Sequence, residues 1–150
     1  MSFASAEHLA FCVDKTLGLR SARACNLRLV EHAAGSAVCR MDVTEDVAAG
    51  TGALSGGELY GLLDSVAYLA VVPMLPDDEA AVSHDAHFSL MSTAPVGAVV
   101  EIRSAVQRRG RSLVFIRVEA FVIDGEREKP LALSTVTKSI ISMAQRLRHR

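Results

Sequence analysis

One apolar segment near the middle of the chain constrains the fold more than any other feature. It runs from Leu59 to Leu75, and its apolar residues recur at the three- and four-residue spacing of one helix face. They are Leu59, Leu62, Leu63, Val66, Ala67 and Ala70. The segment is shorter than the about 20 residues that span a bilayer, and it carries Asp64 inside and Pro73 near its end. It therefore predicts a long buried helix over residues 56–72, and we expect no membrane partner.

Segments with a two-residue period lie on both sides of this helix. Residues 25–29 and 37–43 alternate apolar and polar side chains around Gly35, which predicts two strands joined by a turn. The second half predicts four more strands, at 80–92, 97–109, 111–124 and 130–143. Short connections with glycine between these strands indicate antiparallel hairpins. The fold class is therefore α+β, an antiparallel sheet with one long helix on its apolar face.

Length, charge and cysteine content bound the class of protein. The chain has 150 residues, of which 50% are hydrophobic, and a net charge of −1, so we expect one domain over 1–150 and no nucleic-acid partner. Its three cysteines are an odd number spaced far apart, which argues against disulfides and zinc and favours the cytoplasm. Residues 1–18 predict a helix capped by Ser5, without the apolar core of a signal peptide, and residues 144–150 form a basic tail.

Asp64 is the first candidate for chemistry. On a helical wheel it lies away from the apolar face, on a side that also holds Gly57, Tyr60, Gly61 and Tyr68. Small residues on that side allow close approach by a ligand or by a second backbone. Aspartate is also a poor helix former in mid-helix, because its side chain competes for backbone groups. A half-exposed acid on a surface stripe would give the same wheel, so both interpretations stay open.

The start of the predicted helix is the second candidate. Ser55 and Glu58 have the Ser-x-x-Glu spacing of a capping box, and Gly56 and Gly57 lie between them. Two glycines leave backbone N–H groups unobstructed at the positive end of the helix dipole, which suits a developing oxyanion. A tight turn before a helix gives the same glycine pair, and this alternative also stays open.

Taken together, these residues resemble a family. The segment Ser55 to Asp64 resembles the His-Gly-Gly-x6-Asp motif of hotdog-fold acyl-CoA thioesterases of the phenylacetate-degradation type. Residues 82–97 resemble the strand of that family that ends in a proline-containing turn, and residues 108–119 resemble its arginine-rich hairpin. The segments occur in the order and at the spacing of the family, over about residues 20–142. The resemblance implies a hotdog fold, with an antiparallel sheet wrapped around a long central helix, and dimers or tetramers as the working unit.

The resemblance also implies an activity, the hydrolysis of an aryl- or medium-chain acyl-CoA to the free acid and CoA. It makes Asp64 the nucleophile or general base, and it assigns the Gly57 N–H to the thioester carbonyl. Ser83 would help to place the water or the acid. CoA enters as part of the substrate, and no separate cofactor is expected.

Further residues are expected to contact the substrate. By resemblance, Arg108, Arg109 and Arg111 could hold the phosphates of CoA, since arginine suits phosphate geometry. Ser55 and Gly56 would contact the substrate at the start of the helix. His87 is expected near the acyl pocket, beside Asp64. His84, Asp85 and His87 together invite a metal site, but on a strand Asp85 and His87 share one face and His84 points the other way, so we expect no metal.

Two positions depart from the family pattern. Ser55 stands where the family has histidine before the glycine pair, and Ala49 aligns with an asparagine that is common in the family. A non-catalytic hotdog module that binds acyl-CoA or acyl groups is therefore the alternative function. A hotdog dehydratase or hydratase fits less well, because the acid here follows a glycine pair on the central helix.

The spacing of the two candidate groups predicts the oligomeric state. Gly57 and Asp64 are seven residues apart, which is about 10 Å along a helix axis. Both groups must approach one reacting carbonyl to within about 3 Å. Two antiparallel copies of the helix across a two-fold axis can do this, whereas one copy cannot. The chemistry therefore predicts a homodimer with two shared sites, or a tetramer built from such dimers.

Overall fold

The structure, a computed structural model, describes residues 3–144. In chain order its elements are α1 (Ala6–Leu17), α2 (Arg20–Ala24), β1 (Arg28–Ala33), β2 (Ser36–Asp42), α3 (Gly56–Val71), β3 (Glu79–Leu90), β4 (Val99–Arg109), β5 (Leu113–Asp124) and β6 (Arg127–Ser142). Short 3-10 turns lie at Glu45–Val47 and Val72–Met74. Of the predicted basic tail, residues 145–150 lie outside the described residues. No helix within the described range combines the length and the apolar content that crossing a bilayer requires.

The six strands form one antiparallel sheet in the order β1-β2-β4-β5-β6-β3, and α3 lies against its apolar face. The predicted apolar residues of α3 are all buried, together with Leu69 and Val71. The inner face of the sheet supplies alternating side chains to the same core, as a half-buried sheet does. The predicted α+β class is confirmed, and the arrangement is the sheet-around-helix fold that the resemblance implied.

The rotation of α3 about its own axis is fixed by hydrogen bonds from the sheet side. The buried Ser104 hydroxyl donates to the Val66 carbonyl at 2.9 Å, and the Gly35 N–H donates to the Ala70 carbonyl at 2.9 Å. These contacts hold the apolar side of the helix against the sheet and determine the direction in which the opposite side, with Asp64, faces. The helix ends close to the predicted residue, and Pro73 lies in the 3-10 turn that follows.

In the first third of the chain, the cap of α1 is predicted correctly and the start of β1 is not. Ser5 caps α1 as predicted, and its hydroxyl accepts a hydrogen bond from the His8 N–H at 3.1 Å. The strand predicted at 25–29 instead begins at Arg28, because the short helix α2 precedes it. The helix is followed by Asn26 in the left-handed region, with φ of 49°, so the chain turns sharply before entering the sheet.

A bulge in β3 changes which of its side chains face α3. The register with β6 shifts between Ser83 and Asp85, so His84 is the extra residue. Ser83 lies opposite Lys138, and after the bulge Phe88 lies opposite the buried Ser134. Directly opposed residues of an antiparallel pair share a face. Ser83 and Phe88 therefore both face α3, although five positions separate them and a regular strand would place them on opposite faces.

Candidate functional site

Asp64 meets the sheet at two polar side chains. The Ser83 hydroxyl donates to its carboxylate oxygen Oδ1 at 2.7 Å, and the Lys138 ammonium donates to the same oxygen at 2.9 Å. The Lys138 ammonium also donates to the Ser83 hydroxyl oxygen at 3.0 Å. The Asp64 side chain keeps 36% of its surface exposed. The structure thus brings Asp64 and Ser83 together, in the proximity that the resemblance implied, and closes a triangle with a third group.

The sequence analysis missed Lys138. Its side chain is only 3% exposed, and it lies in a row of side chains on β6 that otherwise suits the core. The row is Ala132, Ser134, Val136, Lys138 and Ile140. A lysine in such a row is the signal that could have found it, because a buried ammonium needs an anionic partner. The partner is Asp64, which lies 74 residues away in sequence.

The start of α3 differs from the prediction. Ser55 is the N-cap residue, but its hydroxyl accepts no capping hydrogen bond. Its N–H donates to the Val47 carbonyl at 2.9 Å, so the Glu58 carboxylate has no free donor to bind there. The predicted capping box is therefore wrong, because a tertiary backbone contact takes one of its two hydrogen bonds. Within residues 3–144 the N–H groups of Gly56 and Gly57 consequently have no acceptor.

The two glycines have different surroundings. A side chain at Gly56 would meet the Leu90 side chain at 3.0 Å, so this glycine allows close packing against β3. Gly57 is exposed, and a side chain there would meet only the Ser55 hydroxyl, at 3.9 Å. Its N–H is therefore open to a molecule approaching the helix start, and the candidate oxyanion donor is accessible.

A groove leads away from the Asp64 triangle. A cavity of about 210 Å³ contains Asp64, Ser83 and Lys138, and a larger one of about 560 Å³ lies between α1 and β3. Both cavities are lined by Thr16, Leu19 and Tyr68, so they adjoin each other, and we call the two together the groove. The far part is lined mainly by apolar side chains, including Phe11, Ala80 and Met143. Its size lies within the range of cavities that hold small-molecule ligands.

A further cavity lies elsewhere and has charged walls. It has a volume of about 940 Å³, between α2 and the start of α3, and its lining includes Arg20, Arg23, Asp46 and Glu58. Its lining includes none of Asp64, Ser83 and Lys138. We therefore place the candidate site at the smaller groove, which combines a converging polar cluster with apolar walls.

The three predicted phosphate-binding arginines have different environments. Arg109 is turned inward, where its guanidinium contacts the Glu79 carboxylate at 3.5 Å, and its Nε has no partner among the described residues. Arg108 and Arg111 are exposed at the turn between β4 and β5. Only these two are therefore presented to solvent, and the inward turn of Arg109 follows from a bulge between Val106 and Arg108.

His87 lies on the wrong side of the sheet for its predicted position. It pairs with the exposed Thr135, so it shares the face that points away from α3. The prediction that His87 lies beside Asp64 is therefore wrong within this chain, because the bulge at His84 reverses the alternation after Ser83. Over residues 3–144, no group of three His, Cys, Asp or Glu side chains is arranged to hold a metal ion.

Part of the chain is similar in sequence to known proteins. The family model described as thioesterase superfamily matches residues 51–129. Human acyl-coenzyme A thioesterase 13 and its counterpart from Pongo abelii are each 30% identical over 93 residues, which cover 62% of this chain. The match spans 66% of the length of these relatives, slightly less than two thirds.

Solved structures resemble the chain over a longer stretch. Thioesterase superfamily member 2 from Mus musculus has a TM-score of 0.75 at 27% identity, covering 93% of this chain and 98% of that one. A mutant of the phenylacetic acid degradation protein PaaI from Thermus thermophilus has a TM-score of 0.67 at 30% identity, covering 75% and 91%. The matched segment of the family model contains Gly57, Asp64 and Ser83 and more than half of all residues. The chain belongs to the thioesterase superfamily.

Proposed function

We propose that this protein is an acyl-CoA thioesterase that hydrolyses aryl- or medium-chain acyl-CoA to the free acid and CoA. The observation that carries the proposal is the triangle of Asp64, Ser83 and Lys138 at one end of an apolar groove. A thioester is already a reactive acyl donor, so the enzyme has to supply a positioned nucleophile or base. A half-exposed carboxylate held by two donors meets that need.

Two routes fit a carboxylate at this position. In the first, an Asp64 oxygen bonds to the thioester carbonyl carbon, the carbon–sulfur bond breaks, and CoA leaves as a thiolate that takes up a proton; water then hydrolyses the anhydride. In the second, Asp64 removes a proton from water, the hydroxide attacks the carbonyl carbon, the same carbon–sulfur bond breaks, and the departing CoA thiolate takes the proton from Asp64. Both routes release the acid and CoA and return Asp64 to its starting state.

The substrate would extend in two directions from Asp64. The apolar space under α1 suits an aryl or medium-length acyl group, and its walls include Phe11 and Met143. The exposed Arg108 and Arg111 would hold the phosphates of CoA. Three buried, unpaired cysteines support our proposal that the protein works in the reducing cytoplasm.

The working unit in this proposal is a homodimer, or a tetramer built from dimers. Asp64 and the open Gly57 N–H lie on one helix, about 10 Å apart along its axis, so a second copy has to supply the oxyanion donor. The edge strand β3 supports this, since one of its edges is unpaired within residues 3–144 and it exposes Val82 and Leu90. Unprotected edges and apolar patches of this kind favour association.

A thiol-release screen across acyl-CoA esters of different chain lengths and aryl groups tests the proposal. We expect turnover by the natural protein and a loss of at least about 100-fold in Asp64→Asn, which removes the ionised group but keeps its shape. Asp85→Asn is the matched control, because this exposed acid lies on the outer side of the same bulge. A folded natural protein that releases no CoA from any ester would contradict the proposal.

The thiols of Cys25 and Cys39 do not interfere with this assay. Burial raises the pKa of Cys25 to about 11 and that of Cys39 to about 12, so both stay protonated near pH 8. These two thiols therefore add little to the signal of the free CoA thiol.

The second candidate function is binding without turnover. Ser55 and Ala49 replace the histidine and asparagine of the family pattern; Ala49 has no hydrogen-bonding side chain, and the Ser55 hydroxyl has a shorter reach than an imidazole. Thermal stabilisation by CoA esters in the absence of thiol release would favour this function over hydrolysis.

A further inference from the structure

We propose that Lys138 is the positioning residue of this site, which binds one carboxylate oxygen of Asp64 and fixes the proton of Ser83, so that the other oxygen, Oδ2, carries out the reaction. The inference rests on the proposed function and adds a residue that neither the motif nor the resemblance indicated. It follows from the direction of three hydrogen bonds and from the burial of one side chain.

The direction of the hydrogen bonds is set by Lys138. An ammonium group has donors and no acceptor, so the Ser83 oxygen has to accept from it. A hydroxyl has a single proton, and that of Ser83 is given to Asp64 Oδ1. Ser83 therefore has no proton left for a water or a thioester carbonyl. Its role in this geometry is to orient the acid, not to place the water.

The same contacts separate the two oxygens of the carboxylate. Oδ1 accepts from both Ser83 and Lys138, at 2.7 and 2.9 Å, whereas Oδ2 accepts no hydrogen bond within residues 3–144. Two donors on one oxygen hold the carboxylate plane in one orientation, and Asp64 lines the groove, so we expect Oδ2 to be the oxygen that a substrate reaches. A nucleophile or base works fastest when its reacting atom is already aligned.

The burial of Lys138 indicates that this arrangement was not selected for stability. A buried ion pair generally contributes little net stability, because desolvation of the charges offsets their attraction. Lys138 is almost fully buried, and an apolar residue would suit its row on β6 equally well. Its counter-ion, in contrast, remains half exposed where a substrate can reach it. The charge therefore serves the reactive carboxylate.

Lys138→Met tests the role in catalysis. Methionine has a similar length and no charge, so we expect the fold to persist, kcat to fall about 100-fold and KM to stay within about threefold. Ser83→Ala should lower kcat by a larger factor in the natural protein than in Lys138→Met, since both residues act on the same oxygen. Lys129→Met is the matched control, because this lysine lies on the same strand and is exposed. An unchanged kcat in Lys138→Met would overturn the inference.

Thermal unfolding tests the pairing without any need for activity. Asp64→Asn leaves the buried ammonium without a counter-ion, and we expect its Tm to fall by about 5 °C or more. Adding Lys138→Met should restore at least half of that loss, because the unpaired charge is gone. Additive losses would overturn the inference even if the natural protein is active. Restored stability together with an inactive natural protein would contradict the proposed hydrolysis and support the pairing.

Discussion

At the scale of single residues, two buried charges have different functions. Lys138 holds a carboxylate that stays half exposed at the end of a groove, whereas Glu101 is itself the buried group. Glu101 lies on the outer side of the sheet between Arg40, at 2.8 Å, and Arg103, which also pairs with Glu128. Burial would raise the pKa of the Glu101 carboxyl, but hydrogen bonds from both arginines outweigh it, and the pKa lies below its usual range.

This lowered pKa predicts a dependence of stability on pH. A carboxyl with a lowered pKa in the folded state stabilises the protein above its unfolded pKa of about 4.3, and this contribution is lost as the pH falls through the folded pKa. Near pH 7, we expect the unfolding free energy of the natural protein to be higher than that of Glu101→Gln by a constant amount. Below about pH 4, this difference should become smaller. Denaturant titrations across pH 3–7 measure the difference.

The control for this prediction is Glu31→Gln. Glu31 is exposed on β1, so its substitution should leave the pH dependence unchanged. A difference between the natural protein and Glu101→Gln that stays constant down to pH 3 would be inconsistent with a paired, ionised Glu101.

The residues of the site differ in how far the sequence predicts them. Asp64 and Gly57 follow from a helical wheel and a glycine pair, since both signals are local to one helix. Ser83 follows only from the resemblance, because nothing in its strand pattern distinguishes it. Lys138 could not be assigned a partner from the sequence, because its contact with Asp64 depends on how a distant strand aligns with α3.

At the scale of elements, the sequence predicts strands and helices better than their register. The predicted ends of the four strands after α3 lie within a few residues of the observed ones, since two-residue alternation is a local property. The sequence does not predict the bulge at His84, because the bulge depends on the pairing of β3 with β6. That single extra residue explains why Ser83 faces α3 whereas His87, four residues later, does not.

Deletion of His84 tests the importance of the bulge. A regular strand cannot present both Ser83 and Phe88 to α3, so the deletion should remove either the hydrogen bond to Asp64 or the stacking of Phe88 on Tyr60, whose ring centroids are 4.5 Å apart. We expect thioesterase activity to fall at least tenfold, while circular dichroism still reports the native helix content. His84→Ala keeps the extra residue and should remain active; equal losses in the two variants would argue against a role for register.

At the scale of the whole molecule, one chain holds two candidate groups that do not meet. The carboxylate of Asp64 and the open N–H of Gly57 lie at different levels of one helix. The sheet ends at β3, whose outer edge has no strand beside it within residues 3–144. The sequence predicts this incompleteness from helix geometry alone, without any knowledge of the strand order.

Mixing two inactive variants tests whether sites are shared between copies. Asp64→Asn lacks the acid, and Gly57→Pro lacks the N–H but is tolerated in the first turn of a helix. Mixed dimers made by refolding equal amounts together carry one site with both natural groups. We expect roughly a quarter of the natural activity, because half of the dimers are mixed and each has one intact site of two.

The outcomes of this experiment differ clearly for the two arrangements. Recovery of activity requires that acid and donor come from different chains, whereas sites built within single chains would stay inactive in every combination. Separately refolded variants, mixed only afterwards, provide the control for exchange of subunits.

The groove described here has one wall that is independent of its chemistry. Asp64, Ser83 and Lys138 sit on the central helix and the sheet, while the distant apolar end is closed by α1, which contributes no strand to the sheet. In the proposed thioesterase, substitutions in that helix other than at Thr16, which also lines the Asp64 cavity, would therefore lengthen or shorten the space for the acyl group without changing Asp64, Ser83 or Lys138. Paralogues of such a protein would then differ in acyl-group specificity through substitutions within the twelve residues of α1.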